Sequence, residues 1–526
     1  MKRDKTAVVV IGAGMGGLAA AIRLAAQGCA VTLVETAATP GGKMRCLPTA
    51  VGPVDAGPTV LTMRGVFDDL FSLAGERLED HLTLLPQPVL ARHWWPDGSR
   101  LDLTGDRDRD ADAIAALSGA EQAAAFRRFD ALAQGLHDAF DGPVMRAARP
   151  QPGAILRAVA ARPALWPAVW PGQSLTRLLQ RRFRDPRLVQ LFARYATYVG
   201  GRPDASPAVL ALIWRAEAAG VWAVQGGMHR LAVALAALAG RLGVVQRYGT
   251  RARRIIRQGG RVTGVQLDSG ETLACTACVH AGDPAALTAG LVGEGLHGAL
   301  PAAATRPHSL SAWVWSFAAT AEGPLARDLI HHNVLFPSDT AQEFGPISDR
   351  AMPETPTLYL CAEDRAGAQR PDGPERFEII LNAPAGRPDQ PEDFARCQAR
   401  TFQTLRRRGL WFTPDPGPEA LTTPAMLDRL FPGSGGAIYG RSPEGTFAAF
   451  QRPPARTRVP GLYLAGGGAH PGAGVPMAAL SGRHAAEAVM ADLKAAGLTS
   501  ASTSARTVTP GGTLTRSPTT GPARFR

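Results

Sequence analysis

The chain opens on a short apolar run, Val8-Val9-Val10-Ile11, followed by glycines, an Ala-rich stretch and a second apolar run, Val31-Thr32-Leu33-Val34, that ends on Glu35. Short β-branched runs bounded by turn residues predict strands buried on both faces, with the Ala-rich segment as the helix returning between them. Residues 92–98 read as a hairpin and are followed by long helical patterns. Gln225-Gly226-Gly227-Met228 then punctuates the chain before a short helix around 231–242, and 261–271 alternates as a second hairpin. Strand-like runs at 311–317, 358–361 and 377–381, with a helical segment near 394–406, predict a mixed sheet. A short strand at 461–465, a turn at Gly466-Gly467-Gly468 and a helix over 477–493 complete the ordered pattern.

With 526 residues, 45% of them hydrophobic, the chain is long enough for two or more domains with real cores. Its six cysteines (Cys29, Cys46, Cys275, Cys278, Cys361, Cys397) form no disulfide framework, which suits a reducing compartment. Cys275 and Cys278 lie in an extended run without a second pair to complete a zinc site, so no metal is expected. Met1-Lys2-Arg3-Asp4-Lys5 before an uncharged run to Ile22 imitates a secretion signal, but cleavage there would remove the glycine loop. An uncleaved cytoplasmic N-terminus is expected. The longest uncharged stretch, 459–482, contains seven glycines and three prolines and is not a spanning helix.

The net charge of +12 is unevenly placed. Residues 142–184 hold eight arginines and no acid, interleaved with Ile155, Leu156, Leu165, Trp166, Trp170, Leu175, Leu178 and Leu179. That mixture suits docking on an anionic membrane surface; the alternative is a solvated basic face over a small helical core. No recognition motif accompanies the charge, so nucleic acid is not an expected partner. Residues after Leu498 are mostly Thr, Ser, Pro, Gly and Arg with almost no apolar content, and predict a disordered tail.

Gly12-x-Gly14-x-x-Gly17, set between the first strand and its helix with Glu35 at the end of the second strand, has the form of a dinucleotide-binding turn. The glycines admit a tight turn and a close pyrophosphate, the helix N-terminus faces its charge, and Glu35 holds a ribose. A second glycine-rich helix entrance, 464–477, supplies what a flavin needs and a nicotinamide does not: backbone amides and a positive helix end beside the pyrimidine edge of the ring.

Together the glycine loop with Glu35, Gly41-Gly42-Lys43-Met44-Arg45, Asp55-x-Gly57-Pro58-Thr59, Gly226-Gly227-Met228 and 466–476 resemble the carotenoid desaturases of the phytoene desaturase type, over residues 5–493. Within that family 90–98, 194–203, 331–336 and 476–484 are most similar to the 1-hydroxycarotenoid 3,4-desaturase branch (methoxyneurosporene dehydrogenase) of the spheroidene and spirilloxanthin pathways. The resemblance implies an α/β fold: a glutathione-reductase-like FAD-binding Rossmann domain (1–80, 225–295, 440–495) with an inserted mixed-sheet and helical substrate and membrane-docking domain (81–224, 296–439), then a disordered tail (496–526). It implies FAD held by Gly12, Ala13, Gly14, Gly16 and Gly17 at the pyrophosphate, by Glu35 at the ribose, and by Gly42, Lys43 and Arg45 beside the phosphates. Ala252 would meet the adenine through its backbone, where the family usually has valine, and Gly468, Gly474, Val475 and Met477 would meet the flavin ring. His280-Ala-Gly-Asp283 replaces a more usual Asn-containing turn.

The implied reaction is hydride transfer from an acyclic 1-hydroxy or 1-methoxy carotenoid to flavin N5, then proton loss that closes a C3–C4 double bond, with oxygen or a quinone as final acceptor. Such an enzyme would sit peripherally on an inner or intracytoplasmic membrane. The sequence names no base; Tyr195, Tyr198 and Glu217 are candidates by location, and His93 and His332 could meet a substrate hydroxyl. A phytoene or neurosporene desaturase, a redox-neutral carotenoid isomerase, an amine or porphyrinogen oxidase and a non-catalytic prenyl-lipid carrier are the alternatives on the same fold.

Overall fold

A computed structural model describes residues 6–367 and 370–498. The tail expected to be disordered falls, from 499 onward, outside the described residues, as do Met1–Lys5. The first strand, Ala7–Ile11, lies at the centre of a five-stranded parallel sheet in the order Leu462–Leu464, Ala277–His280, Ala7–Ile11, Ala30–Val34, Val245–Arg247. Val8, Val9 and Val10 are at most 2% exposed, the two-sided burial that their unbroken apolar run predicts. The edge strand Val245–Arg247 was not foreseen: it is three residues long and starts on a Val that is 58% exposed.

Two helices cross on one face of this sheet, Met15–Ala26 and Val475–Ala495. They approach so closely that a Cβ at Gly482 would stand 2.3 Å from the carbonyl oxygen of Gly16. This contact sets their N-termini side by side at the sheet's carboxyl edge. The helix His229–Arg241 packs beside Met15–Ala26, and Asp55 accepts from the amides of Met228 and His229 at its start.

The second sheet has eight strands. Its path runs Trp411–Thr413, Ser311–Glu322, Glu375–Ala383, Leu358–Ala362, His332–Leu335, Ala91–Trp94, Arg100–Leu103, with Leu421–Thr422 also pairing with Ser311–Glu322. It is mixed because His332–Leu335 runs parallel to Ala91–Trp94 while the other pairs are antiparallel. A buried aromatic core including Trp313, Trp315, Phe377 and Phe412 covers one face. Against the other packs a helical layer that includes Ala120–Phe140 and Leu212–Ala218, with Phe126, Phe129, Phe192 and Trp214 at its centre. The helix expected near 394–406 is interrupted: Asp393–Gln398 and Thr404–Arg407 flank a wide turn at Ala399–Gln403. The hairpin expected over 261–271 is present as Arg261–Leu267 and Thr272–Ala274, joined by a third strand, Ala252–Gln258. Cys275 and Cys278 are buried free thiols.

One ion pair is locked inside the second sheet. Arg365 forks onto both carboxylate oxygens of Glu375, at 2.5 and 2.6 Å, and donates to the carbonyls of Ala326 and Leu329. Removing one member leaves a buried charge alone, so Glu375→Ala is expected to cost about 3–5 kcal/mol, read by denaturant unfolding. Glu375→Leu with Arg365→Met should recover much of that loss.

Candidate active site

A continuous cavity of about 2440 Å³ begins at the glycine loop, passes between the two sheets and the helical layer, and reaches the surface at Leu156, Trp170 and Phe447. A single small ligand fills about 300–1,000 Å³, so this space has room for a dinucleotide and a long substrate placed in line.

At the inner end Gly12, with φ of 103°, turns the chain, and its amide donates to the carbonyl of Val34 at 2.8 Å. Gly41 donates to Ala13 at 2.9 Å and brings the second glycine loop over the first; a Cβ on Gly42 would stand 3.1 Å from the Cα of Gly14. The floor of the cavity here is bare backbone. Glu35 accepts from the amides of Ala13 and Ala37 at 2.7 and 2.8 Å, which fixes its carboxylate over the loop with lone pairs to spare. Ala252 and Arg251 line the same end.

The helices starting at Met15 and Val475 both open onto this space, one beside Gly12 to Gly16, the other beside Gly466 to Met477. Gly468, Gly474, Val475 and Met477 line the cavity, and the φ of 102° at Gly474 turns the chain into its helix. Two helix N-termini and a glycine floor fit a doubly charged pyrophosphate at one helix and an electron-rich flavin edge at the other. Lys43 also lines the cavity but its ammonium donates to the carbonyls of Ala437 and Ile438, and burial pulls its pKa down. Arg45 lines the cavity too and donates to Thr422 on the second sheet. His280 borders the cavity, its Nε2 against the carbonyl of Asp283, whose carboxylate caps the helix Pro284–Thr288.

The three proton-transfer candidates meet. Tyr195 and Tyr198 both donate to Glu217, one to each carboxylate oxygen, and Arg194 donates to the oxygen of Tyr198. Burial, reinforced by the charge on Glu217, pushes both phenols up, so they remain protonated. Arg194, Tyr198 and Glu217 face the cavity, and Tyr195 stands behind them. His93 and His332 depart from expectation, since neither reaches the cavity surface. His93 touches Arg194 at 3.4 Å, and His332 touches the hydroxyl of Tyr359 at 2.7 Å. Burial drives both imidazoles well down, so they are neutral.

Sequence reasoning missed Tyr359, which faces the cavity, and named Thr59, whose hydroxyl lies 2.6 Å from it, only as part of the turn after Asp55. The available signal was the lone polar side chain in the strand-like run Leu358-Tyr359-Leu360. The segment 142–184 divides: Leu165, Leu175, Leu178 and Leu179 belong to the helical core, whereas Leu156, Trp166 and Trp170 are more than half exposed at the cavity mouth or beside it.

Among known proteins, the flavin-containing amine oxidoreductase family model matches residues 15–318 and 433–490. A hydroxyneurosporene desaturase of Cereibacter sphaeroides is 62% identical over 493 residues, 94% of this chain and 99% of that protein. A protein of the same description from Rubrivivax gelatinosus is 46% identical over 522 residues, covering 98% of each chain. The solved cyclohexylamine oxidase of Brevibacterium oxydans superposes with a TM-score of 0.57 over 93% of this chain and 100% of its own, at 18% identity, a likeness of fold alone.

Proposed function

The chain belongs to the flavin-containing amine oxidoreductases, in their carotenoid desaturase branch, and on that premise we propose that it desaturates the C3–C4 bond of acyclic 1-hydroxy carotenoids. It is an FAD-dependent carotenoid desaturase. The observation that carries the finer reading is the single cavity, which joins the glycine loops to an apolar, arginine-rimmed mouth through a chamber with a few polar groups on its wall. When bound, FAD supplies a hydride acceptor. The Gly12–Gly17 loop and the start of the helix Met15–Ala26 would neutralise its pyrophosphate, Glu35 would accept from its ribose hydroxyls, and Gly468 to Met477 would border the ring.

The protein's own part in the chemistry is alignment, dryness and a proton acceptor. Val314, Ile380, Val334, Val209 and Ile213 line the chamber and hold an apolar chain against the cofactor end without water. Once the carbon next to the polyene has given up hydride, the charge left behind is spread over the conjugated bonds and the neighbouring C–H becomes acidic. Within its cluster Glu217 is the acceptor, receiving from Tyr195 and Tyr198 and facing the Arg194 guanidinium at 3.9 Å, and it is the group assigned to take that proton. The substrate loses one hydride and one proton, and a double bond forms. Substrate deuterated at C3 and C4 should give product that has lost one deuterium from each carbon, whereas an isomerase would retain both.

The exposed side chains of Leu156, Trp170 and Phe447 ring the mouth, and the exposed guanidinium groups of Arg149, Arg157, Arg162, Arg177 and Arg181 lie on the same segment. Among the described residues no helix is long and apolar enough to cross a membrane. Docking of this rim on an anionic lipid surface gives the carotenoid a dry passage, and the reoxidant, oxygen or a quinone, the same entrance. Leu156→Asp combined with Trp170→Asp is expected to lower sedimentation with anionic vesicles at least about 10-fold, from the apolar burial forgone. Turnover of detergent-dispersed carotenoid should fall much less.

A further inference from the structure

Tyr359 stands in one cross-strand row with Val314, Ile380 and Val334, a row that continues to Thr422 on one side and His93 on the other; of the row's members that line the chamber, Tyr359 is the polar one. Its oxygen has three hydrogen-bonding positions, one donor and two acceptor. Thr59 takes one at 2.6 Å and His332 another at 2.7 Å, whichever atom donates in each contact. One position is left. Thr59 lines the chamber too, and its hydroxyl has a position to spare.

These two oxygens are held firmly. Thr59 is 5% exposed, on the loop that follows Asp55, and His332 is 2% exposed, its ring packed against His331. The surface opening of the same cavity is formed by exposed Leu156, Trp170 and Phe447. A long apolar molecule with one alcohol end, entering from such a mouth, can bury its alcohol only where a partner waits, because an unpaired buried hydroxyl costs about 1–3 kcal/mol. We infer that Tyr359 and Thr59 form a subsite for the tertiary alcohol at the carotenoid end, which enters first and fixes which carbon pair faces the cofactor.

The subsite rests on the desaturase reading above. It assigns selectivity for the hydroxylated substrate to Tyr359 and Thr59, with His332 as a positioning residue behind them. A site built to pair with a hydroxyl rejects the analogue that lacks one, because the site's own polar groups are then left unpaired.

The test compares kcat/KM for a 1-hydroxylated acyclic carotenoid and its hydrocarbon parent, in the same liposomes, for wild type, Tyr359→Phe, Thr59→Val and Thr59→Ser, each with its flavin content measured. Wild type is expected to favour the alcohol at least about 100-fold. Tyr359→Phe and Thr59→Val should each lower that ratio about 10-fold or more, and Thr59→Ser, which keeps the hydroxyl, should retain it. If Tyr359→Phe fails to hold FAD, the Thr59→Val and Thr59→Ser pair decides alone. A ratio preserved in every flavin-loaded variant, or a wild type that treats both substrates alike, overturns the subsite while leaving desaturation standing. A wild type that holds FAD and dehydrogenates neither compound removes the functional reading on which the subsite rests.

Discussion

Gly16→Val is expected to purify without yellow colour. A Cβ at this position would stand 2.3 Å from the amide nitrogen of Gly466, 2.5 Å from its Cα and 3.1 Å from the carbonyl oxygen of Ala478. All three are backbone atoms, so no side chain can swing aside, and the branched valine adds two methyl groups to the collision. Relief must come from separating the N-terminal glycine loop from the loop that precedes Val475–Ala495. Those are the two segments whose helix ends converge on the cofactor end of the cavity. Overpacking of this kind costs about 1–3 kcal/mol or more of stability, and FAD affinity is expected to fall by at least about 100-fold as the helix ends move apart. The ratio of flavin to protein absorbance and the melting temperature measure both effects. Gly298→Ala is the control, since nothing lies within 4 Å of a Cβ there, and it should keep both values.

Glu217→Gln is expected to leave FAD bound and to reduce desaturation about 100-fold or more, the usual contribution of a positioned proton acceptor. The amide is nearly the same size, so packing around Trp214 and Tyr195 should persist. What changes is the charge facing Arg194 at 3.9 Å and the hydrogen bonding: a carboxylate accepts from both phenols, but the amide presents a donor to one of them, which must then turn. Substrate binding should hold, so the loss should appear in kcat. Glu217→Asp, which restores the acceptor on a shorter stem, should recover part of the rate. Equal rates for wild type and Glu217→Gln would place proton removal elsewhere, with water as the acceptor.

The cofactor end was legible in the sequence because its physics is local. A turn at Gly12, a backbone approach between Gly14 and Gly42 and an acid at Glu35 all lie within 31 residues, and each demands a particular residue type. The substrate end depends instead on strand register. Tyr359 meets Thr59 across 300 residues of chain, and the hydrogen bond from Tyr195 to Glu217 joins one helical turn to another. The pattern could nominate Tyr195, Tyr198 and Glu217 by region but not reveal that two of them are donors to the third. It nominated His93 and His332 because a substrate hydroxyl needs a polar partner. Register puts both on the chamber side of the sheet, but neighbouring side chains cover them: His93 lies against Arg194 and His332 against Tyr359. The arginine and tryptophan segment combined two signals, since its leucines build a core while Leu156, Trp166 and Trp170 remain outside.

The measurement that tests the central claim most directly is an anaerobic titration of the FAD-loaded protein in liposomes with one equivalent of a 1-hydroxylated acyclic carotenoid, following flavin absorbance, polyene absorbance and product mass together. The account predicts that the oxidised flavin band bleaches in step with a red-shifted polyene and a product lighter by two hydrogens, and that admitting oxygen or a quinone restores the band. An unbleached flavin with a product of unchanged mass would contradict it.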